Sequence, residues 1–360
     1  MKKILLTGDT PTGRLHLGHL VGSIENRVRL QDEYDCYFII ANKHAFTTNA
    51  ANPDAIRDSV MQVATDWLAA GIDPQKSSLF IQSEVPAIDE LTFFFSMLLP
   101  LNRVLRNPTL KSELRDKNLG ENYAFGFPLY AVGQVADILA FRADVVPVGE
   151  DQLPHLEMTR EVVRRFNQLY CGVDSNAPDD RQVEMGGLFP MVRPLLGRVK
   201  RLVGIGAPGP DGQLLKMSKS LKNAIYLSDS ADDVRKKVRS MYTDPNRLRA
   251  TDPGRIEDNP LWIFQDAFNP DAAWVEEHKD LYRRGQVGDS QVKDRLVEVL
   301  NDLLSPIRAR RAELERRPDD VLDALRLGTV RAIAATEETV ARAKEKMKQH
   351  FFDRSVKLVP

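Results

Sequence analysis

The chain has 360 residues and a formal net charge of −1 at pH 7. This balance excludes a protein that binds nucleic acid through an overall positive charge, so any RNA contact must use a local basic surface. The two cysteines, Cys36 and Cys171, lack CxxC spacing, which excludes a disulfide framework and a self-contained zinc site.

The cysteine usage is typical of a reducing compartment, and the first strand runs straight into a Gly/Pro loop without an apolar signal core. No run approaches 18 apolar residues. We therefore expect a soluble, cytoplasmic protein with no membrane partner. The length allows one to three domains.

Short β-branched apolar runs alternate with amphipathic stretches through the first two-thirds of the chain, at residues 4–7, 36–41, 79–82 and 145–148. Between the second and third runs, residues 54–70 place an apolar face at helical spacing, and Gly71 ends that helix. Alternation of this kind predicts an α/β fold with a Rossmann-like, doubly wound parallel sheet.

Strand patterns stop after about residue 227, and residues 232–241, 259–268, 289–316 and 319–348 predict helices. We therefore divide the chain into an α/β domain, 1–227, and a helical domain, 228–360. Arginines and lysines cluster at 235–239 and 308–311, but acidic residues accompany them. A solvated helix surface explains most of these charges, and a subset could contact RNA.

The stretch from Thr7 to His19 (TGDTPTGRLHLGH) joins the first strand to a helix. Ligands bind at such junctions in open α/β sheets, because glycines permit close backbone approach and the helix start offers free N–H groups. Gly8 and Gly13 supply that backbone freedom, and two imidazoles, His16 and His19, lie around Gly18. These features predict a polyphosphate site.

A second motif, KMSKS at residues 216–220, follows the Gly/Pro-rich stretch 204–212. Two lysines and two serines on a mobile loop can close over a phosphate tail and stabilise charge as it develops. A lone Lys-x-x-Lys is usually a solvated loop, and a lone histidine at a helix start usually has no special role. Their occurrence together, in this order, favours the phosphate site.

The two motifs resemble the HIGH and KMSKS signatures of class I aminoacyl-tRNA synthetases. Residues 146–152 (VPVGEDQ), followed by His155 and the stretch 165–167, are similar to the GEDQ region of the tryptophanyl-tRNA synthetases. Tyr130, the stretch 137–139 and the stretch 80–86 extend the likeness. It covers roughly residues 3 to 350 and is strongest before residue 220.

This resemblance implies ATP-dependent attachment of L-tryptophan to tRNA(Trp) through a tryptophanyl-adenylate, with release of pyrophosphate and AMP. Residues 228–360 would then recognise the tRNA anticodon. Mg²⁺ would be carried by the nucleotide, because no carboxylate pair predicts a dedicated metal site. The family is dimeric, and the apolar stretch 91–101 suits a subunit contact or a core helix. DNA is not an expected partner.

For the phosphate site, the resemblance implies that His16 and His19 line the ATP triphosphate and that Lys216 and Lys219 hold the leaving pyrophosphate. Lys111 is a further candidate, although a solvated helix lysine is an equal alternative. The implied ATP-binding residues are Thr10, Gly18, Gly149, Asp151, Met217 and Ser218.

For tryptophan, Asp137 is the sharpest candidate, because a carboxylate in an apolar run is costly without a hydrogen-bond donor. The resemblance implies that this donor is the indole N–H; a structural ion pair with Arg142 is the alternative. The implied tryptophan-binding residues are Leu6, His44, Tyr130, Gln134, Asp137, Val146, Val148 and Gln152. For His44, a core histidine with satisfied hydrogen bonds is the alternative.

Several positions depart from the commonest bacterial pattern and indicate a divergent member. Leu6 stands where an aromatic residue often stacks on the indole, and Gln134 stands where methionine is common. His19 and Thr10 replace the usual asparagine and glutamine. The phosphate motifs are intact while the amino-acid pocket is altered, which suggests tolerance of ring-substituted tryptophans.

Three other functions fit parts of the pattern. A tyrosyl-tRNA synthetase shares both motifs, although Glu150 and the stretch 165–167 disfavour it. A smaller nucleotidylyltransferase with a HIGH-like motif does not require the helical C-terminal part. A synthetase-derived regulatory or binding paralogue would be expected to lose motif residues, and here both motifs survive.

Overall fold

A computed structural model describes residues 2–117, 119–120, 122–149, 152–196, 202–219, 221–247, 249 and 251–358. Five strands form one sheet in which every neighbouring pair is parallel, in the order β3-β2-β1-β4-β5. The strands are β1 Ile4–Asp9, β2 Asp35–Ile40, β3 Ser77–Ile81, β4 Val145–Val148 and β5 Arg193–Leu196.

Four of these strands match the predicted runs within two residues at each end. The fifth, β5, was not predicted, because Arg193–Leu196 contains no β-branched residue; it also carries Pro194, which has no backbone N–H to donate. Strand β5 lies at the edge of the sheet and pairs with one neighbour only, so it tolerates Pro194, which cannot donate a hydrogen bond to a second strand. The predicted α/β fold class is confirmed.

Nine helices precede residue 172 in the described chain, and one turn of π-helix, Leu20–Ile24, continues the first of them. They are α1 Leu17–His19, α2 Glu25–Leu30, α3 Asn42–Asn49, α4 Pro53–Ala70, α5 Pro86–Ser96, α6 Leu101–Leu105, α7 Pro108–Asp116, α8 Gly126–Ala140 and α9 Leu153–Cys171. As predicted, Gly71 ends α4, in the left-handed conformation that favours glycine.

The C-terminal third is helical, as predicted, and its helices begin and end within two residues of the predicted bounds except for one additional helix, α12. These helices are α10 Ala231–Arg239, α11 Pro260–Phe268, α12 Ala272–Arg283, α13 Asp289–Arg316 and α14 Pro318–Lys346. Among the described helices, none is long and apolar enough to cross a membrane.

The last helix, α14, covers the outer edge of the sheet at β3. A Cβ on Gly328 would lie 2.0 Å from the Leu79 carbonyl oxygen, so glycine lets the helix touch the strand. The Thr329 hydroxyl accepts a hydrogen bond from the Ile81 N–H at 3.4 Å. The helical third therefore packs into the α/β part, and both large apolar clusters draw residues from each side of position 227. The division at that position stays a prediction.

Strand β1 lies between β2 and β4, and from it the chain proceeds outward in both directions. The Thr7 hydroxyl donates to the Pro147 carbonyl at 3.0 Å, which ties β1 to β4 next to their carboxyl ends. In an open parallel sheet this reversal of strand order leaves a crevice at the carboxyl edge, where ligands bind. Both sequence motifs enter this region.

Candidate active site

The HIGH segment is held in place by pairing with the stretch that follows the KMSKS loop. The Leu17 N–H donates to the Ile225 carbonyl at 2.9 Å, and the Leu227 N–H donates to the Leu15 carbonyl at 3.0 Å. His16 lies between these two bonds. Its backbone position therefore depends on residues more than 200 positions away in the sequence.

The two histidines of this segment contact each other. Their ring centroids are 3.9 Å apart, and the His16 N–H donates to His19 Nδ1 at 3.2 Å. Burial lowers the pKa of His16 to about 3 and that of His19 to about 4, so both rings are neutral at pH 7. His16 Nδ1 is buried with no hydrogen-bond partner among the described residues. The pair can therefore offer ring nitrogens to a ligand. Because both rings are neutral, any positive charge that binds a phosphate must come from other residues.

Gly18 makes room for the His16 ring. A Cβ at this position would lie 3.0 Å from His16 Nδ1 and 3.8 Å from Met217 Cβ. The structure therefore places a histidine and the buried methionine of the second motif over Gly18, which the resemblance implies is an ATP-binding residue. The assignment of Gly18 to ATP stays a prediction.

The KMSKS loop lies on the loop that precedes the HIGH segment. Lys219 Nζ donates to the Thr12 hydroxyl at 3.2 Å. Asn223 holds the loop from behind: its Oδ1 accepts from the Ser218 N–H at 2.8 Å, and its Nδ2 donates to the Lys216 carbonyl at 3.1 Å. Asn223 was not predicted, because it lies outside the motif and acts through backbone groups. The two motifs are therefore brought together as predicted.

Lys219 is the cation held inside this arrangement. Burial lowers the pKa of Lys219 to about 8, while the carboxylates of Asp9 and Asp66 oppose the shift. The ammonium group therefore stays largely charged at pH 7. Lys216 is exposed. Of the two lysines of the motif, one is thus an anchored cation close to the histidines and the other is open to solvent.

Asp9, at the end of β1, is the centre of a largely buried polar group next to the loop that follows this strand. Its Oδ2 accepts from Arg27 Nη1 at 2.8 Å and from Trp67 Nε1 at 2.9 Å. Arg27, whose side chain is only 1% exposed, also donates to the Gly8 carbonyl at 3.1 Å. The sequence did not predict this group, because the three side chains come from a strand end and two separate helices. The group supports the loop and places a carboxylate near His19.

A second polar group is built around Asp137 on α8. Gln82 Nε2 donates to Asp137 Oδ1 at 2.8 Å and to Oδ2 at 3.0 Å, and His44 Nε2 lies 3.5 Å from Oδ2. Gln82 belongs to the stretch that carries the resemblance, but it was not predicted as a site residue. Arg142, the alternative partner of Asp137, instead pairs with Glu338 at 3.4 Å. The structural ion pair considered for Asp137 is therefore absent among these described residues.

The Asp137 group is strongly perturbed by burial. Desolvation raises the pKa of Asp137 to about 7, with the Gln82 amide opposing the shift. Burial lowers the pKa of His44 to about 3, and the charges of Lys43 and His155 add to the effect. A buried carboxylate beside a neutral imidazole favours any ligand that brings one more donor. Perturbed acids of this kind in a crevice are candidate functional groups.

Three predicted tryptophan-binding residues share one face of α8, at positions 130, 134 and 137. The Tyr130 ring lies 5.6 Å from the His44 ring, between centroids. Gln134 Nε2 donates to Gln152 Oε1 at 3.4 Å, so the amide finds its partner at the start of α9. The remaining predicted residues lie on the neighbouring strands β1 and β4: Leu6, Val146 and Val148.

Several residues predicted to bind ATP take no part in the contacts described above between the two motifs or around Asp137. Lys111 lies exposed on α7, Thr10 is exposed in the loop after β1, and Gly149 is exposed after β4. Asp151, like Ser220 of the KMSKS motif, lies outside the described residues. The roles of all five stay predictions.

Comparison with known proteins agrees with this arrangement. Residues 2–305 match the family described as tRNA synthetases class I (W and Y). A tryptophan–tRNA ligase of Treponema pallidum is 47% identical, covering 95% of this chain and 96% of the relative. One of Clostridium longisporum is 44% identical over 98% of both.

A solved structure of tryptophanyl-tRNA synthetase from Campylobacter jejuni, complexed with ADP and tryptophan, is similar with a TM-score of 0.78. It is 28% identical and covers 96% of this chain and 99% of its own. The chain belongs to the class I aminoacyl-tRNA synthetases for tryptophan and tyrosine. The family resemblance inferred from the two motifs is therefore confirmed, including its bacterial type.

The raised pKa of Asp137 predicts a stability cost above neutral pH. The folded carboxyl keeps its proton up to about pH 7, while the unfolded one loses it near 3.9, so the free energy of unfolding falls as pH rises through that window. Asp137→Asn removes this cost: the oxygen of the introduced amide can accept from Gln82, and its nitrogen can donate to neutral His44. We expect the free energy of unfolding of the variant to exceed that of wild type by up to about 4 kcal/mol at pH 8 and by clearly less at pH 5.

Urea unfolding of both proteins at the two pH values measures this difference. An equal gain at pH 5 and pH 8 would show that the effect comes from packing and not from the buried charge.

Proposed function

We propose that the protein attaches L-tryptophan to tRNA(Trp) at the expense of ATP. The observation that carries the proposal is the contact of the two motifs, with Lys219 Nζ bonded to Thr12 beside the neutral His16 and His19 rings. Such a site can hold a polyphosphate and stabilise charge on a leaving pyrophosphate. The names of the full-length relatives and the Asp137 group support tryptophan as the amino acid.

In the first step the tryptophan carboxylate oxygen attacks the α-phosphorus of ATP. A new oxygen–phosphorus bond forms, the bond from that phosphorus to the bridging oxygen breaks, and pyrophosphate leaves with its electron pair. The protein needs no nucleophile of its own, so its work is positioning and charge stabilisation. Lys219 supplies charge to the leaving group, and His16 and His19 supply ring N–H donors.

In the second step a hydroxyl of the terminal tRNA ribose attacks the carbonyl carbon of the adenylate. The ester bond forms, the bond from the carbonyl carbon to the phosphate oxygen breaks, and AMP leaves with that electron pair, while the hydroxyl proton passes to a phosphate oxygen or to solvent. Mg²⁺, which the family's chemistry implies, would be carried by the ATP phosphates and would neutralise part of their charge. Among the described residues no group of three His, Cys, Asp or Glu side chains could hold a metal by itself.

Exchange of labelled pyrophosphate into ATP, measured with each amino acid in turn, tests the proposal. We expect exchange with tryptophan and esterification of tRNA(Trp) by the same protein. Exchange with tyrosine alone would assign the chain to the tyrosine branch of the family. The absence of exchange with every amino acid would favour a regulatory or binding paralogue.

Recognition of the tRNA anticodon by the helices after residue 227 is part of the proposal. The basic residues expected there are largely engaged within the chain: Arg308 donates to the Asn301 side chain at 3.1 Å, and Lys237 pairs with Asp229 at 2.5 Å. Lys236 is exposed on α10. RNA contacts would therefore use only part of this basic surface. A cytoplasmic location also belongs to the proposal, and the free thiols of Cys36 and Cys171 support it.

We further propose that two copies of the chain associate through α5 and the residues that follow it. Phe93, Met97 and Leu101 are 64%, 66% and 59% exposed, whereas Phe95 on the opposite face is buried. Phe93 and Met97 are four residues apart and share one helix face. Within the stretch 91–101, one face is therefore part of the core, and the other is an exposed apolar surface that supports the proposed subunit contact.

The double variant Phe93→Glu/Met97→Glu is expected to sediment as a monomer, because the charges would have to be buried in the contact. Phe352→Glu is a matched control, since Phe352 is 87% exposed on the C-terminal tail. A dimer for the double variant, or a monomer for wild type, would contradict this subunit contact in analytical ultracentrifugation.

Tolerance of ring-substituted tryptophans is the most specific part of the proposal. Leu6 is 3% exposed and shares an apolar cluster with Val146, while leucine presents less fixed surface than an aromatic ring. An aromatic pair adds about 0.5–1.5 kcal/mol beyond the free energy that comes from its buried area. Leucine in place of an aromatic residue therefore costs only a modest part of the binding free energy of tryptophan. We expect wild type to activate hydroxy-, halo- or nitrotryptophan with a smaller penalty than Leu6→Phe does.

Exchange rates with tryptophan and its analogues, compared as ratios of kcat/KM, measure this tolerance. Equal penalties for wild type and Leu6→Phe would show that neighbouring side chains already fill the space beside Leu6.

A further inference from the structure

A buried ion pair joins the long C-terminal helix α13 to the backbone of the HIGH segment. Asp66 on α4 has a side chain that is 0% exposed, and its Oδ1 accepts from Arg311 Nη1. Its other oxygen, Oδ2, accepts from the Leu15 N–H at 2.9 Å. One carboxylate thus holds, with its two oxygens, a side chain 245 residues away and the residue just before His16.

Arg311 is itself fixed in place. Its side chain is 10% exposed, and its Nε pairs with Glu315 one turn further along α13, at 3.0 Å. Burial raises the pKa of Asp66, and the Arg311 guanidinium opposes that shift. Because a buried carboxylate is costly without a partner, the orientation of Asp66 depends on the arginine. The position of the Leu15 N–H in turn depends on Asp66, which accepts its hydrogen bond.

The same carboxylate also acts on the KMSKS side of the site. The charge of Asp66 raises the pKa of Lys219 against the effect of burial. Leu15 lies in the pairing with Leu227 that positions the HIGH segment. Asp66 therefore influences both motifs that would surround the ATP phosphates, although it contacts neither histidine.

We propose that Arg311 is a positioning residue for adenylate formation, acting through Asp66 and the Leu15 N–H on His16. This inference rests on the proposed function. It makes α13, a helix of the part of the chain expected to bind tRNA, a mechanical support of the phosphate site. A shift of α13 would change the placement of His16. The Asp137 group draws on α3, α8 and Gln82, and among the described residues neither Asp66 nor Arg311 bonds to it, so we expect tryptophan binding to depend less on α13. A misplacement of about 1 Å can cost roughly a hundredfold in rate.

The neighbouring Arg310 provides a matched control. Its Nε donates to the Ala69 carbonyl at 2.6 Å, so it joins the same two helices, α13 and α4, but has no bond to Asp66 or Leu15. Arg310→Met and Arg311→Met each remove one guanidinium link between these helices. Only the second removes the support of Asp66.

The test compares kcat and KM for tryptophan-dependent pyrophosphate exchange, together with thermal unfolding midpoints, in full-length proteins. We expect Arg311→Met to lower kcat by ten- to a hundredfold with the tryptophan KM within threefold of wild type. Arg310→Met should stay within twofold in kcat. Equal kcat values for the two variants would overturn the proposal.

The double variant Asp66→Asn/Arg311→Met keeps the experiment informative if Arg311→Met does not fold, because it buries no unpaired charge. Its kcat should still be at least tenfold below wild type, since nothing orients the introduced asparagine side chain. Where all variants fold, the losses of Asp66→Asn and Arg311→Met should not multiply in the double variant, because both cut the same link. Wild-type kcat in the double variant, or fully multiplied losses, would overturn the proposal.

These outcomes are separate from those of the proposed function. A wild-type protein that exchanges with no amino acid refutes the function, whereas an active wild type with matching Arg310→Met and Arg311→Met variants refutes only the role of Arg311. If tyrosine proves to be the substrate, the same comparison applies with tyrosine.

Discussion

Lys219→Ala is expected to lower the rate of adenylate formation by about a hundredfold or more while tryptophan binding changes little. Removing one preorganised donor from a site of developing charge typically costs about 3 kcal/mol of barrier. Lys219 is suited to that role, because its ammonium is partly buried beside the Thr12 hydroxyl, where water screens it less than at the surface. The tryptophan pocket around Asp137 draws on other elements, α3 and α8, so substrate affinity should be preserved.

Single-turnover formation of the adenylate, measured by rapid quench, gives the rate, and calorimetric titration gives the affinity for tryptophan. Lys222→Asn is a matched control: Lys222 is exposed in the same loop, and its φ of 51° is one that asparagine tolerates. The control removes the same charge from the loop without touching Thr12. A single-turnover rate of Lys219→Ala equal to that of wild type would refute the role assigned to Lys219.

Asp137→Ala is expected to abolish most of the discrimination between tryptophan and phenylalanine. A site built to bond a polar group rejects the analogue that lacks it by roughly 10⁴-fold or more, because its own polar atoms are then left unpaired. The Asp137 carboxylate is buried, and Gln82 supplies a side-chain donor to each of its oxygens. The indole N–H would add a donor to this buried acceptor, which phenylalanine cannot do.

The ratio of kcat/KM for the two amino acids in pyrophosphate exchange measures this selection. Asp137→Asn should fall between wild type and Asp137→Ala, since it keeps one acceptor oxygen but loses the charge. If Asp137→Ala keeps the wild-type ratio, the carboxylate serves only to hold Gln82 and His44, and selection of tryptophan depends on the shape of the pocket.

The location of the candidate phosphate site could be proposed from the sequence, because the strand, the turn and the two histidines that mark it are close together in the chain. A strand that runs into a glycine-containing turn before a helix places the start of that helix at the carboxyl edge of the sheet, although the exact position of His16 also depends on pairing with residues 225–227. The KMSKS loop was recognised by its residues alone, and its contact with the first loop through Lys219 and Thr12 agrees with the expected pairing. Asp137 stood out because a carboxylate in an apolar helix face requires a partner.

The partners of these residues could not be predicted in the same way. Gln82, Asn223 and Asp66 are ordinary polar residues in the sequence, and each acquires a role only where separate elements meet. Strand β5 was not predicted because its four residues include no β-branched residue, and its pairing with β4 is a property of the whole sheet.

The sequence by itself determined four of the five strands, helix α4 and four of the five C-terminal helices, and its two motifs indicated the family. The strands and helices follow from periodicity and turn residues within each segment, and the family follows from the resemblance of the two motifs taken together. Only the tertiary structure decided that α14 covers β3, that both histidines are neutral and that Arg311 reaches Asp66. The physical reason is that burial, and with it every pKa and buried ion pair, depends on which distant segments exclude water from a group.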